Sequence, residues 1–85
     1  MTKEMKLMDA RNRVLIIEAA LSRAMNDEDY WNQVVEDSND SASLQEAKRI
    51  LEKKIDEVKQ LKISLLEAKA AIKLIELDEN QWIDD

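Results

Sequence analysis

The chain contains no glycine, proline, cysteine, histidine or phenylalanine. Each absence removes something. Without Gly or Pro it lacks the residues that tight turns, bulges and hairpin loops use most, which argues against a sheet protein. Without Cys there is no disulfide to reinforce a thin core, and no thiolate nucleophile or Cys metal site. Without His the commonest general acid–base at neutral pH is missing, and so is the Glu-x-x-His pattern of di-iron bundles. Without Gly no phosphate-cradling loop can be built. No apolar run approaches the roughly 18 residues of a membrane span, and no signal-peptide core follows the start. The Asp37-Ser38-Asn39-Asp40 stretch is too short for an EF-hand and lacks its Gly and terminal Glu. These exclusions predict a soluble, cytoplasmic, non-enzymatic protein with no cofactor and no metal site.

What remains is a helix-former's composition. Of 85 residues, 45% are hydrophobic and 38% charged. That is the profile of a coiled coil or a helical bundle. The net charge of −6 is unevenly placed. Residues 26–43 carry six acidic and no basic groups, and residues 78–85 carry four acidic and no basic groups. The segments between them mix both signs, as solvated helix faces do. Nucleic-acid binding wants a basic face, which is not found here. The converse reading, an acidic mimic of DNA, wants acids spaced along a rod. Here they are bunched in one middle segment and the tail.

The strongest pattern is a heptad repeat in residues 43–77. With a at Leu44, Leu51, Val58, Leu65 and Ile72, the d positions are Ala47, Lys54, Leu61, Ala68 and Ile75. Only Lys54 is not apolar, so the stretch reads as one helix with a packed seam. Ser43 and Glu46 form a capping-box pattern at its start. Residues 2–37 repeat the pattern, with a at Leu7, Val14, Leu21, Glu28 and Val35, and d at Ala10, Ile17, Ala24 and Trp31. One local conflict exists. Asn26 is a good N-cap, Asp27, Glu28 and Asp29 suit a first turn, and Met25 and Tyr30 sit at staple positions. The helix therefore either runs through, with a local kink, or breaks near Asn26. Survival of the heptad register favours the first. Residues 38–42 read as the turn, with Asn39 the best residue for a positive φ.

Two rods of similar length joined by a short turn predict an all-α, coiled-coil-like antiparallel hairpin over residues 1–77. Folding about residue 40 pairs residue i with roughly 80 − i. Glu28 and Lys54, the two seam defects, then lie at nearly the same level, as an ion pair fixing register would. A second apolar stripe lies away from the seam: Ile63, Leu66, Ala70, Leu74 and Leu77 on the second helix, and Met5, Met8, Leu15 and Ile16 on the first. One hairpin interface cannot cover both faces. The expectation is a homodimer forming a four-helix bundle through the end opposite the turn, or a groove for another protein. Residues 78–85 form an acidic tail carrying Trp82 and Ile83, which serve either as a core cap or as a docking hook.

The Trp31-Asn32-Gln33 triplet near the turn resembles the Trp placement of the WXG100 family, but it lacks that motif's Gly and Trp31 falls on the seam. The functional expectation is therefore general. It is a protein-interaction module acting as adaptor, assembly factor or inhibitor, with a purely structural self-assembling element as the alternative.

Overall fold

The computed structural model describes residues 2–77. They form two helices, α1 (Lys3–Asp37) and α2 (Ser41–Leu77), packed antiparallel as a hairpin. At 1.5 Å per residue each rod is about 50 Å long. The radius of gyration is 19.4 Å, against about 12 Å for a globular chain of this length. The molecule is a rod.

α1 is one helix throughout, including Asn26–Asp29. The local start signal loses because no Pro or Gly breaks the backbone there, and Ala24 and Trp31 continue the seam on either side. Thr2 caps its start: the Met5 amide donates to Thr2 Oγ1 at 3.2 Å. At the other end the Ser38 hydroxyl donates to the Val34 carbonyl at 2.7 Å, satisfying one of the orphan acceptors of the last turn. The Gln33 amide also donates to both Asp37 carboxylate oxygens, at 3.2 and 3.1 Å.

The turn is shorter than expected. α2 starts at Ser41, two residues early, because Asp40 and not Ser43 is its cap. Asp40 Oδ2 accepts from the Ser43 amide at 3.2 Å and from the Ser43 hydroxyl at 3.0 Å, and the Leu44 amide donates to the Asp40 carbonyl at 2.9 Å. Glu46, the expected partner of Ser43, instead meets Arg49 at 3.3 Å. These bonds from Ser43 hold the Asp40 carboxyl below its ordinary range, the side-chain bond most of all. No described residue has positive φ, Asn39 included. Ser38 takes an extended conformation, with φ −75° and ψ 124°, and this turns the chain without a left-handed residue.

The seam is where the periodicity puts it. Every a and d position from Leu7 to Ser38 and from Leu44 to Ile75 is buried or half-buried, and every described b, c and f position of both helices is exposed. The core is thin. Its buried members are Ala24 (1% exposed), Ala47 (2%), Val58 (5%) and Ala68 (6%). An antiparallel heptad pair sets a against d, which places residue i opposite roughly residue 82 − i. Small then meets larger in layer after layer: Ala10 with Ile72, Val14 with Ala68, Ala24 with Val58, Val35 with Ala47. This alternation lets the two backbones approach closely along the rod.

Candidate functional site

Among the described residues no group of three or more acidic side chains could hold a metal ion. No buried side-chain nitrogen or oxygen among them lacks a hydrogen-bond partner. The grooves beside the seam are open and shallow, lined for instance by Leu21, Met25 and Leu65, or by Ala10, Ala68 and Ile75. No described helix is long and apolar enough to cross a membrane.

What the hairpin does present is uncovered apolar surface. Met5, Met8, Leu15 and Ile16 on α1, and Ile63, Leu66, Leu74 and Leu77 on α2, are each between 48% and 69% exposed. Every one occupies b, c or f, the outer positions of its heptad. The hairpin register matches them in height: Met5 with Leu77, Met8 with Leu74, and Leu15 and Ile16 with Leu66. All eight lie in the half of the rod away from the turn.

The turn half is built differently. The outer b and f positions there read Gln45, Arg49, Glu52, Asp56 and Lys59 on α2, and Asn26, Asp29, Gln33 and Glu36 on α1. They keep that half solvated, and the acidic Asp27–Asp29, Glu36, Asp37 and Asp40 add a negative field around it. The outer b and f positions therefore change along the rod, from mostly charged in the turn half to mostly apolar in the other half.

The stripes lie roughly 150° round each helix from the a/d seam, by the heptad angle. The b and f positions, which carry six of the eight, recur three and four apart, as a second seam would; Ile16 and Leu74 sit at c beside them. Two further exposed apolar side chains were not picked out by the stripe pattern: Met25, 45% exposed, and Tyr30, 63% exposed. Their e and c positions are the signal that places them outside. Tyr30 packs edge-on to Trp31, with ring centroids 5.3 Å apart and planes at 87°, so Trp31 joins the half-buried seam while Tyr30 covers its edge.

Among the a and d positions from Leu7 to Ile75 the one cation is Lys54. Its ammonium lies 3.6 Å from Asp27 across the hairpin and 3.7 Å from Glu57 on its own helix. Glu28, expected as its partner, is half-buried at the neighbouring position of α1. Trp82 and Ile83 lie outside the described residues. No protein-family model, no curated protein and no solved structure matches this chain.

Proposed function

We propose that the chain is a non-enzymatic protein–protein interaction module, an adaptor, assembly factor or inhibitor that docks helices on its outer face. One observation carries this reading: an already completed seam leaves eight large apolar side chains uncovered, at matched heights, in one half of the rod. A face kept only for solvation would carry charge there, as the turn half does. The three-and-four spacing suits a helical partner better than a flat or irregular one. Self-association into a four-helix assembly is part of the same reading, since a two-helix core this thin gains most from a second layer.

The sequence has no His and no Cys, and this supports a binding role over a catalytic one. The acidic turn end would add long-range attraction to a basic partner and speed encounter more than it adds affinity.

The test is capture of partners from extracts of the source cell by the immobilised chain. It is repeated with Leu66→Lys/Leu74→Lys, both on exposed positions, and with residues 78–85 removed. Loss of specific partners with helicity retained by circular dichroism is the expected result. Removal of 78–85 that dissolves the oligomer, with no partner lost, would favour the purely structural reading.

A further inference from the structure

The outer stripe of α1 differs from that of α2. Its b and f positions read Met5, Met8, Asn12, Leu15, Ala19 and Ser22, without a single charge, in a chain with 38% charged residues. The α2 stripe is interrupted by Lys73. Arg11 and Glu18 flank the α1 stripe on one side, both exposed, and neither has an ion-pair partner among the described residues.

We propose that the α1 stripe is covered by α1 of a second copy of this chain, antiparallel, about a two-fold axis between Asn12 and Leu15. The inference rests on the interaction reading above and names its first occupant. In this register Met5 meets Ser22 of the partner subunit, Met8 meets Ala19 of the partner subunit, and Asn12 meets Leu15 of the partner subunit. Symmetry repeats the three layers. The Met5 and Met8 layers set large against small, as the intramolecular seam does at Ala24 and Val58, and the central layer sets the Asn12 amide beside Leu15.

Charge selects the same register. It brings Arg11 opposite Glu18 of the partner subunit, twice. A slip of one heptad would set Arg11 against its own symmetry copy and Glu4 against Glu18 of the partner subunit, both repulsive. The parallel arrangement would stack Met on Met and Ala on Ala, leaving gaps.

Area and field agree with this occupant. Six outer positions on one helix make a small interface, at the low end of the roughly 1,000–2,000 Å² that specific association uses. The dimer is therefore concentration-dependent. The antiparallel overlap also sends the two acidic turn ends, each with six acidic and no basic groups over residues 26–43, past the partner's N-terminus in opposite directions. Side-by-side parallel rods would hold them together. Because each stripe is nearly opposite its own seam, the four helices lie in a row, with the two copies of α1 in the middle. The α2 stripes stay outermost, free for other proteins.

The test is sedimentation of the full chain over a concentration series, with circular dichroism on every variant. The unaltered chain is expected to show a monomer–dimer equilibrium, and Met8→Lys to be a folded monomer. Arg11→Glu and Glu18→Arg alone should each raise the dissociation constant by about tenfold, and the double variant Arg11→Glu/Glu18→Arg should restore it. A chain that is monomeric at every concentration overturns the proposal while leaving partner capture, read separately, to judge the interaction reading. A dimer that survives Met8→Lys but dissolves in Leu66→Lys moves the contact to α2 and overturns it too. Failure of the double variant to recover overturns the register.

Discussion

Lys54 reaches across the hairpin to Asp27, 3.6 Å from ammonium to carboxylate, and touches Glu57 of its own helix at 3.7 Å. The heptad register explains why it sits there. Asp27 and Glu57 flank the seam at facing g positions, where two like charges repel. A Lys at the intervening d position places one cation between them.

Both carboxylates are more than half exposed, so water screens the attraction. A double-mutant cycle on Asp27 and Lys54 is expected to give a coupling of about 0.2–1 kcal/mol, falling with added salt. Lys54→Leu should raise the midpoint of chemical unfolding, since an apolar side chain fills the layer better than a paired cation. Lys54→Glu should lower it, by setting a third carboxylate against two. The same cycle on Glu28 and Lys54 shows whether Glu28 shares the ammonium; zero coupling there leaves Asp27 as the only cross-helix register partner.

Asp40 supplies a prediction about pH. Its carboxyl titrates below the ordinary range because Ser43 donates to it from both hydroxyl and amide. A folded value depressed below the unfolded one adds stability at pH above the unfolded carboxylate range, and this is lost as pH falls through the folded value. Asp40→Ala should therefore lower the melting temperature at neutral pH and narrow the gap to the parent chain on acidification. Asp40→Asn, also a good cap, should retain most of the stability at neutral pH without that pH dependence. A parent and an Asp40→Ala chain that melt with identical pH profiles would remove the cap from the account.

The thin core sets a limit on side-chain size. Ala24 is 1% exposed and stands at the level of Val58, itself 5% exposed. Ala24→Leu adds volume to a layer already closed to water and should cost about 1–3 kcal/mol. Ala70→Leu adds the same atoms at an exposed outer position and should stay within about 0.5 kcal/mol. Denaturant midpoints at equal m-value give the comparison.

Much of this hairpin was legible in the chain itself, and the misreadings have physical causes. The seam could be read because a 3.5-residue period depends only on which residues avoid water, and both helices repeat it. The outer stripes stand out because apolar residues recur there at positions that the same register leaves outside the seam. The α2 start was misplaced because Ser43 and Glu46 satisfy the capping pattern locally, while Asp40, three residues earlier, offers a carboxylate that accepts two bonds from Ser43 at once. Glu46 was then free to meet Arg49. Asn39 is the best candidate for a positive φ in a chain without Gly, yet an extended Ser38 suffices for the reversal. At Asn26 a good N-cap sequence lies inside a continuing seam, and packing outweighs local preference.

Leu65 and Leu66 put the division between seam and outer face to its sharpest test. They are adjacent in sequence, the same residue type, and in the same helix. Leu65 is half-buried at an a position opposite Ile17; Leu66 is 69% exposed at b. Leu65→Lys removes apolar contact and forces a charge toward the seam, so it should cost about 2–3 kcal/mol. Leu66→Lys should change stability by no more than about 0.5 kcal/mol. Thermal melts at low protein concentration keep each chain monomeric and isolate the fold from any partner copy. Equal losses from both substitutions under those conditions would mean that the outer face belongs to the folding core. The predicted inequality leaves that face free for binding.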